Sequence, residues 1–243
     1  MKTPVTFPVR RQGTAENKPC QIAWLEEEHF SQVKALQDDI LATLPRKDWY
    51  FPLTPAEIGN ILAEKAGQAV GAFVGDQLVG FGAVYYPKDH GDNLGRDVGL
   101  PAPELKQVVH LEACFVHPAY RGNGLQTKMG KLLIEEVLAE GEYRHLLATV
   151  MPANIPSITD KFTQQMKIVA LKQKYNNSWR YIFYRDLRNP ALCPEKHWTE
   201  GELIPVSSLD LRRQLVLLAQ GYQGAGYRKT GAGLDILYGK RIN

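Results

Sequence analysis

Cysteine is scarce in this sequence, and long apolar runs are missing. Its 243 residues include three cysteines, Cys20, Cys114 and Cys193, and no Cys-x-x-Cys pair. Cysteines that are odd in number and far apart favour reduced thiols and argue against a disulfide framework or a zinc site. No stretch approaches the roughly 20 apolar residues that span a bilayer, and the first residues lack the apolar core of a signal peptide. We therefore expect a cytoplasmic protein with no membrane partner and no metal.

An excess of charge of one sign is also missing. The formal net charge is +3, the isoelectric point is near 8.6, and the lysines and arginines do not form a run. A nucleic-acid partner is therefore not expected. Hydrophobic residues make up 44% of the chain and charged residues 23%, as is typical of a globular protein. The length allows one large domain, or a domain with an appendage.

The segment from Val109 to Val137 combines three patterns. Apolar and β-branched residues up to Val116 predict a buried strand, which His117-Pro118 ends because proline has no amide hydrogen for the sheet. Arg121-Gly122-Asn123-Gly124 follows, and its glycines permit positive φ angles and a close approach of a ligand to the backbone. Apolar residues then recur at helical spacing, at Leu125, Met129, Leu132, Leu133 and Val137. The segment therefore predicts a strand, a glycine turn and a helix.

A helix that begins directly after such a turn favours an anionic ligand. Its first four amide hydrogens lack partners within the helix, and the helix dipole adds about half a positive charge there, so a phosphate fits this end. The turn lacks the lysine and serine or threonine of Walker A, and Gln126 stands where the dinucleotide fingerprint has its third glycine. A nucleotide-phosphate enzyme is therefore less favoured, and an ordinary glycine-containing turn is the structural alternative.

The turn instead resembles the acyl-CoA-binding motif of the GNAT superfamily of N-acyltransferases, V-x-P-x-x-R-G-x-G-x-G/A. The matching letters, VHPAYRGNGLQ, run from Val116 to Gln126, and Gln126 is the one departure. The resemblance implies that backbone amides of this turn hold the pyrophosphate of coenzyme A. The residues that it assigns to the coenzyme here are Phe115, Val116, Arg121, Gly122, Asn123, Gly124, Leu125, Gln126 and Thr127.

A second GNAT signature, N-x-x-A/S-x-x-x-Y-x-x-x-G-F, is similar to the segment that begins at Asn154. Asn154 and Ser157 match, and the resemblance implies that they line the pantetheine arm of the coenzyme. Lys161 occupies the place of the tyrosine, and Gln165-Met166 replaces Gly-Phe. Because that tyrosine commonly protonates the departing thiolate in the family, the resemblance leaves this role without a residue here.

The resemblance covers residues 20–187 and implies an α/β fold. Its sheet is mixed and mostly antiparallel, with helices on both faces and a central splayed parallel pair formed by the strands that end at Val116 and Val150. A bulge parts this pair so that pantetheine lies between the two strands. The interpretation adds an N-terminal arm, residues 1–19, and a C-terminal extension, residues 188–243. We expect residues 87–105 to form a surface loop rather than a substrate lid. We expect the glycine-rich tail, residues 221–233, to be irregular packing rather than a phosphate or partner site.

Amide formation from a thioester requires a neutral amine, so a base beside the site of attack matters. His110 and Glu112 are two residues apart on the predicted strand and therefore share a face. In the resemblance, these are positions where a histidine or glutamate takes the amine proton, often through water, while backbone amides near Phe115 and Val116 hold the thioester carbonyl. The structural alternative is an arginine-paired Glu112 and a hydrogen-bonded core His110. We favour the catalytic interpretation for Glu112, leave both open for His110, and interpret Cys114 as a core residue.

The sequence thus predicts an N-acyltransferase that moves an acetyl or other short acyl group from acyl-CoA to an amine by direct attack. Acetyl-CoA would be the co-substrate, and a small-molecule or peptide amine the acceptor. We expect a monomer or a homodimer. The alternative is a non-catalytic CoA- or acyl-CoA-binding protein with the same fold, which the missing tyrosine and Gln126 favour.

Overall fold

The computed structural model describes residues 5–44, 50–189, 203–231 and 233–240. The chain forms two compact units. The first unit contains residues 1–86 and 111–141, and the second contains residues 87–110 and 142–243. No helix in the described part of the chain has the length and apolar character to cross a bilayer.

The strands follow one another along the chain with helices between several of them. In order, they are β1 (Val5–Arg10), β2 (Asn17–Trp24), β3 (Gly67–Val74), β4 (Gln77–Tyr85), β5 (Val108–Val116), β6 (His145–Val150), β7 (Lys167–Lys174), β8 (Ser178–Asp186), β9 (Ile204–Ser207), β10 (Gln223–Thr230) and β11 (Gly233–Gly239). The α-helices are α1 (Phe30–Thr43), α2 (Pro55–Leu62), α3 (Ala102–Leu105), α4 (Leu125–Glu140), α5 (Ile155–Thr163) and α6 (Leu211–Ala219).

The first unit has the strand order β1-β2-β3-β4-β5. The pairs β1–β2, β2–β3 and β3–β4 are antiparallel, and β3 and β4 form a hairpin with Gly75 at positive φ in its turn. The start of α2 carries a capping box, since Thr54 Oγ1 accepts from the Glu57 amide while Glu57 Oε2 accepts from the Thr54 amide. Apolar residues of α1 and α2, with Phe81 of β4 and Phe115 of β5, form the core of this unit.

The second unit has the strand order β5-β6-β8-β7-β10-β11-β9. The part of β5 that belongs to this unit, Val108 to His110, pairs in parallel with His145 to Leu147 of β6. Every other pairing in this unit is antiparallel among the described strands. The predicted fold class, α/β with a mostly antiparallel sheet and one parallel pair, is confirmed.

The predicted N-terminal arm contains a strand that the sequence analysis did not predict. Residues 5–10 form β1, which pairs with β2 from Val5↔Ile22 to Arg10↔Asn17. Pro8 lies opposite Pro19, which weakens the strand pattern in the sequence. Proline is tolerated there because β1 is an edge strand, whose outer side needs no amide hydrogens for a further strand.

The glycine-rich tail forms the β10–β11 hairpin, so the expectation of irregular packing is wrong. Gly224 pairs with Ile168 of β7, and a Cβ on Gly224 would lie 2.8 Å from the Ile168 Cβ. Glycine is therefore needed for close approach of two strands rather than for a loop. Arg228 bonds Asp235 across the hairpin at 2.9 Å. Residues 190–202, with Cys193 and most of the predicted link, lie outside the described residues, and the division at residues 19 and 187 stays a prediction.

A buried polar network joins α6 to three strands of the second unit. Gln214 is 0% exposed, and its Oε1 accepts hydrogen bonds from the Tyr181 and Tyr238 hydroxyls, each at 2.7 Å. Its Nε2 donates to the Ser207 and Ser208 carbonyls, each at 3.0 Å. One carboxamide thus satisfies four groups, which fixes the C-terminal residues against β8.

Replacing Gln214 with leucine should destabilise the second unit strongly. The change removes four hydrogen bonds, and of the four groups concerned only the Tyr181 hydroxyl and the Ser208 carbonyl keep a bond, to each other. We expect a loss of about 2–4 kcal/mol in the free energy of unfolding. Urea denaturation followed by circular dichroism measures it. Gln220→Leu is the matched control, because Gln220 is exposed at the end of α6. A loss no larger than that of the control would contradict the structural role of the network.

Candidate functional site

Side chains of β5 alternate between a buried and a half-buried face. In the first unit, Ala113 and Phe115 are buried, whereas Glu112, Cys114 and Val116 are half-buried. Phe115 stacks on Phe81 with ring centroids 4.8 Å apart. Cys114 Sγ lies 3.6 Å from where a Cβ on Gly82 would be, in the direction of α4. The alternation therefore places Glu112 on the face that is not closed by the α1–α2 core.

The glycine turn connects β5 to α4 with two residues in the left-handed region. The φ angle is 86° at Gly122 and 69° at Gly124, which confirms the predicted positive φ. Gly124 is the N-cap of α4 and supplies no capping side chain, and the first turn of the helix carries no acidic residue. The backbone at this helix start therefore favours an anion, and no carboxylate of that turn competes for it.

The turn is held from its N-terminal side by short local contacts. His117 Nδ1 accepts from the Ala119 amide at 3.1 Å, and residues 118–120 form a 3-10 turn. The Arg121 Nε donates to the Val116 carbonyl at 3.4 Å, and the Arg121 side chain remains exposed. These contacts give the backbone of the predicted coenzyme residues a defined path between β5 and α4.

The Asn123 side chain makes hydrogen bonds to backbone groups of the protein. Its Oδ1 accepts from the Arg10 amide and its Nδ2 donates to the Arg10 carbonyl, both at 2.8 Å, with a further bond to the Tyr120 carbonyl. The predicted coenzyme role of Asn123 is thus left to its backbone amide. Sequence analysis missed this contact, because the motif leaves its position open to any residue.

Tyr50 is a further residue of the first unit that contacts β5. Its hydroxyl donates to Gln37 Oε1 at 2.6 Å, and its ring meets Phe115 edge-on with centroids 5.6 Å apart. Burial raises the pKa of Tyr50, and the nearby charge of Glu112 raises it further. Tyr50 is therefore a neutral phenol within electrostatic range of the predicted base.

His110 belongs to the second unit and is 3% exposed. Its Nε2 accepts from the Leu94 amide at 3.1 Å, so the neutral ring carries its proton on Nδ1. Burial, together with a smaller effect of the positive charge of Lys174, lowers the pKa of His110 to about 3. Because Nδ1 carries the proton and the Nε2 lone pair accepts from Leu94, the ring has no lone pair left to take an amine proton. This arrangement favours the structural alternative for His110.

The loop that covers His110 is pinned at its base. Asn93 is 1% exposed, and its Nδ2 donates to the Lys88 and Leu105 carbonyls while its Oδ1 accepts from the Gly95 amide. A Cβ on Gly95 would lie 2.9 Å from Asn93 Oδ1, so a larger residue would displace this arrangement. The hydrogen bonds of Asn93 therefore hold in place the part of the loop that contacts His110.

The predicted pantetheine residues form the start of α5. Asn154 is its N-cap, and Asn154 Oδ1 accepts from the Ser157 amide at 3.2 Å. Lys161, which takes the place of the family's tyrosine, is 5% exposed and lies 3.0 Å from Asp160 Oδ2. The pair Asn154 and Ser157 therefore belongs to one capped helix start, and Lys161 is buried in an ion pair.

The predicted residues divide between the two units. Glu112, Phe115, Val116 and the turn residues 121–127 belong to the first, whereas His110, Asn154 and Ser157 belong to the second. Their roles toward a substrate stay predictions. Within the described ranges, histidine, cysteine and carboxylate side chains do not form a group of three suited to a metal ion.

The mixed sheet and the glycine turn before α4 define an α/β protein of the acetyltransferase fold. Residues 24–159 match the pattern of the acetyltransferase (GNAT) family, and the chain belongs to that family. No curated protein matches the chain by sequence.

Solved structures show the same fold at low identity. A putative acetyltransferase from Acinetobacter baylyi is 16% identical with a TM-score of 0.55, over 73% of this chain and 97% of its own. Arabidopsis thaliana NAA60 in complex with acetyl-CoA is 15% identical with a TM-score of 0.53, over 70% and 99%. The putative acetyltransferase yncA from Salmonella typhimurium, with its cofactor acetyl-CoA, is 16% identical with a TM-score of 0.52, over 69% and 94%.

The buried, neutral state of His110 should make stability fall in mild acid. Since the folded pKa of about 3 lies below the ordinary value of 6.5, the unfolded chain binds the proton first as the pH falls. The stabilisation is complete above pH 6.5 and is lost between pH 6.5 and 3. In that window, His110→Gln should reduce the slope of unfolding free energy against pH by up to about 1.4 kcal/mol per pH unit.

Urea titrations at several pH values between 4 and 8 measure this slope. His90→Gln serves as the control, because the His90 side chain is 68% exposed. Equal slopes for wild type and His110→Gln would show that His110 is accessible to protons in the folded protein.

Proposed function

We propose that the protein is an N-acyltransferase that moves an acetyl or other short acyl group from acyl-CoA to an amine. The observation that carries this proposal is the turn between β5 and α4, with positive φ at Gly122 and Gly124 and the helix start directly behind it. Membership of the GNAT acetyltransferase family supports it, as does the presence of acetyl-CoA in two proteins of similar fold.

In this proposal the protein backbone binds the phosphates of the coenzyme. The amides of residues 121–127 receive the diphosphate, where the helix dipole and the exposed Arg121 add positive potential. The capped start of α5, with Asn154 and Ser157, contacts the pantetheine arm. Backbone amides of Phe115 and Val116 stabilise the negative charge that develops on the thioester oxygen.

The acceptor amine must lose a proton before or during its attack. At pH 7 a lysine side chain costs about 4.6 kcal/mol to neutralise and an α-amine about 1.4 kcal/mol. Glu112 is the proposed base, directly or through water, because it lies half-buried on β5 whereas the His110 lone pair is engaged by Leu94. The amine nitrogen bonds to the thioester carbon, the amine proton goes to Glu112, and the carbon–sulfur bond breaks to release the CoA thiolate.

The acceptor is proposed to be a small-molecule or peptide amine, and the protein a cytoplasmic monomer or homodimer. Burial raises the pKa of Cys20 to about 11, so that thiol is inert. Cys114 lies on the half-buried face of β5, two residues from Glu112. Direct transfer needs no acyl-cysteine, because the amine can attack the thioester itself.

Glu112→Gln should remove turnover while leaving the coenzyme bound. The amide keeps the size of the side chain but cannot accept the amine proton, so kcat/KM should fall about 10²- to 10⁴-fold. Thiol release from acetyl-CoA with a panel of amines and peptides measures activity, and calorimetry measures the dissociation constant of CoA. Glu135→Gln is the control, since Glu135 is exposed on α4. Activity within a few-fold of wild type in Glu112→Gln would refute the assignment of the base.

Coenzyme binding should depend on the left-handed glycine of the turn. Gly122→Ala and Gly75→Ala both add a Cβ at positive φ with nothing within 4 Å, and each should destabilise by about 1–2 kcal/mol. CoA at 100 times its dissociation constant should stabilise wild type and Gly75→Ala by about 2.7 kcal/mol, and Gly122→Ala by clearly less.

Thermal unfolding with and without CoA measures this difference. Equal stabilisation of the two variants would contradict the proposed turn site. Tight CoA binding by wild type without acyl transfer to any amine of the panel would instead support the alternative of a non-catalytic CoA-binding protein.

A further inference from the structure

The N-terminal strand lies along the glycine turn of the first unit. The Asn123 carboxamide bonds both the amide and the carbonyl of Arg10 at 2.8 Å, which is the contact that a neighbouring strand would make. Two residues further on, the Gln12 amide donates to the Ala119 carbonyl at 2.7 Å. The outer edge of β1 is therefore joined to the turn at two points, and Arg11 lies between them.

A side-chain contact reinforces this junction. The Lys128 Nζ lies 5.0 Å from the centroid of the Phe7 ring of β1, a cation–π arrangement. The same Nζ lies 3.8 Å from where a Cβ on Gly124 would be, so the ammonium group is close to the start of α4. Phe7 thus holds a positive charge beside the turn.

The junction gathers cations without carboxylates. Residues 5–12 and 117–128 contain no aspartate or glutamate, and the first acidic residue of α4 is Glu135. Their lysines and arginines are Arg10, Arg11, Arg121 and Lys128. A diphosphate needs about two of these charges for neutrality. The 3′-phosphate of coenzyme A adds about −1.5 to −2 at pH 7, which the remaining two would match.

We propose that β1 is part of the coenzyme site and that Arg10 and Arg11 recognise the 3′-phosphate of coenzyme A. The proposal rests on the proposed function, since it presumes the diphosphate at the turn. Arg121 and Lys128 belong to the turn and the helix start, which leaves the two arginines of the adjoining segment for a phosphate beyond the diphosphate. Arginine suits this task because its planar guanidinium forms paired hydrogen bonds to phosphate oxygens.

The test compares CoA with 3′-dephospho-CoA in calorimetric titrations of the full chain. Wild type should bind CoA about 10- to 100-fold more tightly, the effect of one or two charge-assisted hydrogen bonds. In the double variant Arg10→Gln/Arg11→Gln the ratio should approach one, with the affinity for 3′-dephospho-CoA within about twofold of wild type. Arg212→Gln/Arg213→Gln is the matched control, an exposed arginine pair on α6 of the second unit.

Each outcome decides between the two proposals. A wild-type ratio near one, or an unchanged ratio in the Arg10/Arg11 variant, overturns the assignment of the 3′-phosphate and leaves the proposed function intact. Failure of wild type to bind either compound overturns the proposed function and, with it, this inference.

The variant Asn123→Ala provides an independent test, because Asn123 is a positioning residue that acts through β1. Asn123→Ala keeps both arginines but removes the bonds to the Arg10 backbone. The preference for CoA over 3′-dephospho-CoA should fall at least several-fold, while circular dichroism of the fold stays unchanged. A preserved preference in Asn123→Ala would show that β1 does not depend on this carboxamide for its place at the site.

Discussion

The direction of α4 depends on two backbone angles. Gly122 and Gly124 adopt positive φ, a region that costs an ordinary L-residue roughly 1–2 kcal/mol. This geometry turns the chain that follows β5 and the 3-10 turn of residues 118–120 into the start of α4. A helix start at the end of a buried strand is fixed in place by the core, which is what a preorganised anion site requires.

The same turn solves a second problem, the outer edge of the sheet. β1 is an edge strand, and unpaired edges invite association with other chains. The Asn123 carboxamide pairs with the Arg10 backbone, and Gln12 pairs with Ala119, so part of that edge is covered by the residues that carry the motif. One surface therefore serves both the stability of β1 and the arrangement of cations around the helix start.

Local sequence patterns are sufficient for the elements whose determinants are close in sequence. The change from strand to helical period at Leu125, the capping box at Thr54 and the hairpin at Gly75 each depend on residues within one or two turns of one another. β1 escaped prediction because its prolines face each other at an edge, and the tail because Gly224 serves a contact with Ile168, far away in sequence. For the candidate site, the positive φ angles of the turn were predictable, whereas the link between Asn123 and β1 was not.

The contrast between His110 and Glu112 shows why strand position alone does not assign a base. Both residues lie on β5, two apart, and both carry groups able to accept a proton. The difference comes from residues 87–105, which bring the Leu94 amide onto the His110 ring and bury it, so that its pKa falls far below neutrality. Glu112 is half-buried. A general base needs a lone pair and access to the proton it takes, and the loop of residues 87–105 denies both to His110.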